Sequence, residues 1–160
     1  MKLLKPYFVK TPRLVQHFFS DYSWRIHTKK KEIYLTFDDG PVPDFTPWVL
    51  DTLKKFEAKA TFFCVGENIQ KYPDIYERVI KDQHSVGNHT FNHLQGWKTS
   101  TAKYVKNILK AESYLQEASD KKSIKLFRPP HGRIKPKQAR ALRKKGYKII
   151  TVSYTHLRAH

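Results

Sequence analysis

Three short segments of the sequence carry residue types that are suited to hydrolytic chemistry. Residues 36–41 read TFDDGP, residues 84–93 read HSVGNHTFNH, and residues 128–132 read RPPHG. They supply two adjacent carboxylates, a pair of histidines, and an arginine ahead of a turn stiffened by proline. Each segment alone is a weak signal, but together and in this order they are typical of a metal-dependent hydrolase site.

The histidine pair indicates a metal site. His89 and His93 are four residues apart, and on one turn of a helix their rings would face the same way. Two imidazoles and one carboxylate form a common open site for zinc or another divalent ion. Such an ion lowers the pKa of a water molecule and polarises a carbonyl group. We therefore predict a metal centre that contains both histidines.

The adjacent carboxylates have separate roles in this interpretation. In an extended segment the side chains of Asp38 and Asp39 point in opposite directions, so that one can bind metal while the other acts as a base. Arg128 can hold the base through charge-assisted hydrogen bonds, and the turn after it can aim a backbone N–H at an oxyanion. The residues alone leave two simpler alternatives open, a plain Asp-Asp-Gly-Pro turn and a rigid loop with a surface arginine.

Alternating strand and helix patterns surround these segments. Strands are predicted over 33–37, 60–65, 124–127 and 147–152, with a short strand or loop over 84–88. Helices are predicted after a cap at Asp44, from Pro73, over 101–118 and from Pro136. Helical spacing predicts that the apolar residues of the first three helices face the core: Val49, Leu50, Leu53, Phe56, Ile75, Val79, Ile80, Val105, Ile108, Leu109 and Leu115. This alternation indicates a parallel sheet or barrel, in which active sites collect at the carboxyl ends of the strands. Asp38, His89 and Arg128 all fall at such ends.

Composition limits the remaining possibilities. A chain of 160 residues with 39% hydrophobic residues suits one domain with a real core. The single cysteine, Cys64, lies in an apolar run and is predicted to be buried rather than nucleophilic. The formal net charge of +17 favours polyanions, but the lysines are scattered, so we prefer a solvated surface to a nucleic-acid site.

Neither membrane insertion nor export is indicated by the sequence. No apolar run is long enough to span a bilayer. The amino-terminal region lacks the continuous apolar stretch and the cleavage site of a signal peptide. The default expectation is a cytoplasmic protein, with export as an open alternative, and the oligomeric state is not indicated.

Taken together, the three segments resemble those of the polysaccharide deacetylases, the NodB-homology or carbohydrate esterase family 4 domains. The resemblance runs from about Glu32 to Val152. It implies an α/β fold, a distorted (β/α) barrel, and metal-dependent removal of acetyl groups from N-acetylated sugars such as chitin or peptidoglycan. The implied partner is an N-acetylated glycan and the implied cofactor is one divalent metal, zinc first, with cobalt or nickel as alternatives.

The same resemblance implies a role for each site residue. The metal ligands would be Asp39, His89 and His93. Asp38 would be the catalytic base, Arg128 would orient it, and the backbone N–H of His131 would donate to the oxyanion. The family usually has tyrosine at the position of His131, which implies an altered substrate pocket.

The carboxyl end departs from the family pattern. The later Leu-x-His motif that would supply the general acid is not recognisable, so that residue is unknown, and residues 153–160 read SYTHLRAH, which resembles translated adapter sequence. We therefore divide the chain into an accessory segment (1–31), an incomplete deacetylase domain (32–152) and a non-native tail (153–160), and expect weak or no activity from this fragment. The alternatives are a non-catalytic carbohydrate- or polyanion-binding relative and a deacetylase of non-sugar amides.

Overall fold

The computed structural model of the protein describes residues 31–117 and 125–151. The predicted accessory segment, apart from Lys31, and the predicted tail lie outside the described residues, as does Val152 at the end of the predicted domain. The division of the chain into these three parts stays a prediction.

Within the described residues, five parallel strands form one sheet in the order of the sequence. They are β1 (Leu35–Asp38), β2 (Ala60–Cys64), β3 (Ser85–Asn88), β4 (Leu126–Phe127) and β5 (Lys148–Ile149). Asp38 is in register with Phe63, and Asn88 with both Cys64 and Phe127. Because the strands are parallel and in register at their carboxyl ends, the loops that follow β1, β3 and β4 meet at one rim. The predicted α/β architecture is therefore confirmed.

In the part of the chain that the structure describes, five α-helices follow or connect the strands. They are α1 (Thr46–Lys55), α2 (Gly66–Lys71), α3 (Pro73–Lys81), α4 (Thr101–Glu117) and α5 (Pro136–Arg143). Proline stands at the first position of α3 and α5, where its missing N–H costs nothing and its fixed φ suits the helix. The predicted cap of α1 by Asp44 is wrong, because the N-cap is Phe45, one residue later, and it makes no side-chain cap.

Among the residues described, the core lies between the helices and the sheet in two clusters. One contains Leu50 and Val79, and the other contains Ile108, Phe127 and Leu142, all completely buried. The helical periodicity of the sequence predicted Leu50, Val79 and Ile108 correctly.

Two residues that this periodicity placed in the core are exposed instead. Phe56 follows the last residue of α1 and is 70% exposed, because it has left the buried face of that helix. Leu109 is 38% exposed because the neighbouring positions Ile108 and Ala111 take the buried face of α4.

The short helix α2 was not predicted from the sequence. It packs closely against α4, and a Cβ atom added at Gly66 would lie only 2.8 Å from the Phe91 ring and 3.0 Å from Ala111. A glycine at the first position of α2 therefore lets this helix approach both the loop after β3 and α4. Among the described residues, no helix is long and apolar enough to cross a membrane.

Candidate metal centre and active site

Three polar side chains converge at the carboxyl ends of β1 and β3. Asp39 Oδ1 lies 3.3 Å from His89 Nε2 and 3.2 Å from His93 Nε2. One ligand atom from each residue falls within 4.8 Å of the others. Lone pairs at such distances repel unless a proton or a cation lies between them, and nitrogen and carboxylate oxygen are the donors that zinc and similar ions accept. The three residues therefore fit a divalent metal.

The sequence predicted that one turn of a helix brings His89 and His93 together, but this prediction is wrong. Residues 89–93 form an irregular loop in which Thr90 and His93 have φ values of 69° and 53°. Asn88 Oδ1 accepts from the Thr90 N–H at 2.9 Å, and Thr90 Oγ1 accepts from the Leu94 N–H at 2.9 Å. A left-handed φ is costly for the β-branched Thr90, so these bonds hold the loop in a strained shape.

Backbone contacts connect this loop to the rest of the rim. The amide of Gly66 at the start of α2 donates to the Thr90 carbonyl at 3.0 Å, and the amide of Glu67 donates to the Phe91 carbonyl at 2.7 Å. On the side of β1, Asn68 Nδ2 donates to the carbonyl of Asp39 at 2.7 Å. Helix α2 therefore fixes the loop after β3 and the loop after β1 relative to each other.

The orientation of His89 suits metal binding. Its ring is 3% exposed, and its Nδ1–H donates to the carbonyl of Arg128 at 2.7 Å. This bond fixes the ring with Nε2 directed at Asp39 Oδ1. Ligating histidines commonly have such a partner on the second ring nitrogen, which fixes the ring and raises its basicity.

Asp38 faces away from this cluster and pairs with Arg128. Arg128 Nη1 donates to Asp38 Oδ1 at 2.7 Å and to Thr36 Oγ1 at 2.9 Å. The guanidinium lies 4.0 Å from the centroid of the Phe63 ring, and the arginine is 4% exposed. The predicted separation of the two carboxylates, one toward the histidines and one toward the arginine, is present in the structure.

The room for that arrangement depends on a glycine in β3. A Cβ atom added at Gly87 would lie 2.6 Å from two carbon atoms of the Phe63 ring. Gly87 therefore allows Phe63 to occupy the position in which its ring supports Arg128.

His131 lies beside the metal ligands, in the short 3₁₀ turn Pro130–Gly132. Its ring makes an edge contact with the His93 ring at 4.8 Å between centroids. The structure thus brings all six predicted site residues to one rim: Asp38, Asp39, His89, His93, Arg128 and His131. The predicted oxyanion role of the His131 N–H stays a prediction.

The surroundings of the cluster shift the pKa values of Asp39 and His93. The hydrogen bond with His89 is the largest cause that lowers the pKa of Asp39, and it outweighs the opposing effect of burial. Burial lowers the pKa of His93. Both shifts favour an ionised carboxylate and a neutral imidazole near neutral pH, which are the forms that bind metal.

Several residues that position the site were missed by sequence reasoning. Thr36, Phe63 and Asn68 act through contacts that only the fold reveals. Asn88 is 1% exposed and bonds both the Thr90 amide and the Ile108 carbonyl. The one sequence feature that could have indicated the role of Asn88 is its position directly before His89.

A cavity of about 350 Å³ lies elsewhere, lined by residues 53, 54, 57–59 and 81–84. Most of these residues precede β2 and β3, so the cavity lies at the amino ends of the strands. The rim that carries the polar cluster is at the opposite end of the sheet. The cavity is therefore separate from the candidate metal centre.

Comparison with known proteins identifies the family. The sequence profile of the family described as polysaccharide deacetylase matches residues 25–150. The chain therefore belongs to the polysaccharide deacetylase family, as its three segments predicted.

Individual relatives agree with this assignment. The chain is 37% identical over 132 residues to a peptidoglycan-N-acetylglucosamine deacetylase of Bacillus cereus, covering 82% of this chain and 61% of the relative. It is 38% identical over 110 residues to a chitooligosaccharide deacetylase of Azorhizobium caulinodans, covering 68% of this chain and 51% of the relative.

A solved structure has the same fold. The crystal structure of the Bc1960 peptidoglycan N-acetylglucosamine deacetylase superposes with a TM-score of 0.79 at 35% identity, covering 88% of this chain and 64% of that protein. This likeness confirms the distorted (β/α) barrel of the family. The chain thus spans 51% to 64% of the length of these three relatives.

Proposed function

We propose that the protein is a metal-dependent deacetylase that removes acetyl groups from N-acetylated sugars of the chitin or peptidoglycan type. The observation that carries this proposal is the pairing of two arrangements on one rim. Asp39 faces His89 and His93, while Asp38 is held by Arg128. A metal-binding protein without hydrolytic activity would need only the first arrangement.

Each residue has a distinct task in the proposed reaction. Asp39, His89 and His93 would hold the metal, which when bound polarises the acetyl carbonyl and makes a water molecule more acidic. Asp38 takes the proton of the attacking water, as a general base within reach of that water. The Asp38 side chain is only 17% exposed, so its geometry is set by Arg128 rather than by solvent.

The oxyanion and the departing amine complete the scheme. As the carbonyl carbon becomes tetrahedral, its oxygen gains negative charge, which the backbone N–H of His131 stabilises by donating a hydrogen bond. A general acid then protonates the nitrogen of the tetrahedral intermediate, the carbon–nitrogen bond breaks, and the deacetylated sugar and acetate are released. Without a positioned acid, expulsion of the amine is slower by roughly 10²–10⁴-fold.

The choice of substrate rests on the relatives. The names of the Bacillus cereus and Azorhizobium caulinodans relatives specify peptidoglycan N-acetylglucosamine and chitooligosaccharide. Both substrates contain N-acetylglucosamine, so we propose this sugar as the common unit recognised by the present chain, and zinc as the first candidate metal, with cobalt or nickel as alternatives.

The test is acetate release from N-acetylglucosamine oligomers and peptidoglycan fragments, with and without added zinc or cobalt. Both this chain and a version extended at its carboxyl end to family length are assayed. We expect weak or no release from this chain, and metal-dependent release from the extended version that Asp38→Ala in that version abolishes. Asp44→Ala is the matched control, because Asp44 is an exposed aspartate in the same loop and makes no cap.

The possible outcomes separate the proposal from its rivals. Binding of metal and oligomer by both versions without acetate release would favour a non-catalytic relative. Release from acetylated amides but not from the sugars would favour a non-sugar substrate. Release that is equally strong in the Asp38→Ala variant would exclude Asp38 as the base.

A further inference from the structure

Trp97 is an exposed aromatic residue that the packing of the fold does not explain. Its side chain is 63% exposed, in the 3₁₀ turn Gly96–Lys98 of the long loop that follows β3. Other exposed aromatic side chains, such as Tyr34 and Trp48, lie next to β1 or on the helix that follows it. In the described sheet β1 is an edge strand and β3 is the central one. The position of β1 at the edge of the described sheet therefore accounts for Tyr34 and Trp48, but not for Trp97, which follows the central strand.

The turn that carries Trp97 is firmly held. Gln138 Nε2, on a completely buried side chain, donates to the carbonyls of Gly96 at 2.9 Å and Thr99 at 3.1 Å. Lys135 Nζ donates to the same Thr99 carbonyl at 2.9 Å. The turn is also tightly packed, since a Cβ atom at Gly96 would lie 2.9 Å from the Tyr104 ring. The indole is thus exposed on a rigid base.

The same turn lies beside the metal ligands. Gln95 Nε2 is 3.5 Å from His131 Nε2, and the His131 ring contacts the His93 ring at 4.8 Å between centroids. Trp97 is two residues beyond Gln95, so their Cα atoms are separated by about 7 Å at most. The backbone that carries Trp97 therefore lies on the same rim as the polar cluster.

We propose that Trp97 forms a sugar-binding subsite, a flat platform on which a pyranose ring of the glycan stacks next to the sugar that is deacetylated. This inference rests on the proposed function and specifies where a longer substrate extends. Sugar rings present apolar C–H faces with polar hydroxyl edges. A rigid indole matches such a face at little conformational cost, while Gln95 offers a polar group to the hydroxyl edge.

Binding of oligomers to the 160-residue chain tests the subsite without requiring turnover. Isothermal titration calorimetry compares N-acetylglucosamine monomer and tetramer as ligands for the unchanged chain and three variants. We expect Trp97→Ala to weaken tetramer binding by roughly tenfold, the scale of one aromatic contact, and to leave monomer binding unchanged. Trp97→Phe, which keeps a ring, should recover most of the affinity.

Phe56→Ala is the matched control. Phe56 is as exposed as Trp97 but follows the carboxyl end of α1, at the opposite end of the sheet. We expect this variant to bind the tetramer like the unchanged chain. Circular dichroism and urea unfolding confirm that each variant is folded.

The results distinguish failure of the subsite from failure of the proposed function. Equal tetramer affinity in the Trp97→Ala and unchanged chains, or no tetramer binding by the unchanged chain, would overturn the subsite. A loss confined to Trp97→Ala would support it even if no acetate were released, in which case the deacetylase proposal alone would fail.

Discussion

The ion pair between the partly buried Asp38 and the buried Arg128 allows a quantitative prediction about stability. Arg128 is 4% exposed and donates to Asp38 at 2.7 Å, to Thr36 at 2.9 Å, and rests on the Phe63 ring. Replacing it by methionine keeps much of the volume but leaves the Asp38 carboxylate, whose side chain is only 17% exposed, without its partner. Removing one member of a buried ion pair costs about 3–5 kcal/mol.

Urea unfolding of the metal-free chain measures this loss directly. With an m-value of about 2 kcal/mol/M, typical of a small domain, a loss of about 4 kcal/mol lowers the midpoint by about 2 M urea. Asp38→Asn should cost less, about 1–2 kcal/mol, because Arg128 keeps its contacts with Thr36 and Phe63.

The double variant shows whether the two residues act as a pair. If they do, the losses in Arg128→Met and Asp38→Asn are not additive, and the coupling is about 1–3 kcal/mol. Arg140→Met is the control, since Arg140 is an exposed cation on α5, and its change should stay within about 0.5 kcal/mol. A loss below about 1 kcal/mol for Arg128→Met, or a coupling near zero, would refute the view that this pair fixes the base.

Three further predictions concern the rim and the core. Asn88→Ala removes hydrogen bonds that hold the loop before His93. We expect the free energy of unfolding in urea to fall by about 2 kcal/mol and zinc binding, measured by calorimetry, to weaken at least tenfold. Full zinc affinity in a folded variant would contradict the positioning role of Asn88. Added zinc should raise the melting temperature near neutral pH, by an amount equivalent to about 2.7 kcal/mol at a hundredfold excess over Kd. This rise in melting temperature should vanish on acidification, because protons compete with the metal for histidine ligands. A rise that does not depend on pH would argue against histidine ligands. Burial raises the pKa of Cys64 to about 12, so the stability that its neutral thiol contributes is complete below the unfolded pKa of about 8.5 and is lost as the pH rises toward 12. Thiol labelling at pH 8 should therefore be slow in the native chain and fast in urea. Rapid labelling of the native chain would contradict the burial of Cys64.

The strands and most helices could be predicted because local sequence determines them. Buried runs such as 60–64 and the proline at the start of α3 mark their elements without help from the rest of the chain. The short helix α2 could not be predicted, because it is held by long-range contacts with the loop after β3 rather than by an apolar periodicity.

The residues of the site could be predicted, but the way they come together could not. The spacing of His89 and His93 suggested one turn of helix, whereas a strained loop held by Asn88 and Thr90 produces the same convergence. The ring support of Arg128 by Phe63 depends on the register between β2, β3 and β4, which no local pattern contains.

The most direct test of the metal centre is the stoichiometry and affinity of zinc binding to the purified chain, measured by calorimetry near pH 7. We expect one ion per chain, with the affinity reduced at least tenfold in His93→Ala and unchanged in Asp44→Ala. Zinc binding that is absent in the folded chain, or that survives His93→Ala unchanged, would contradict the assignment of Asp39, His89 and His93 as the metal ligands.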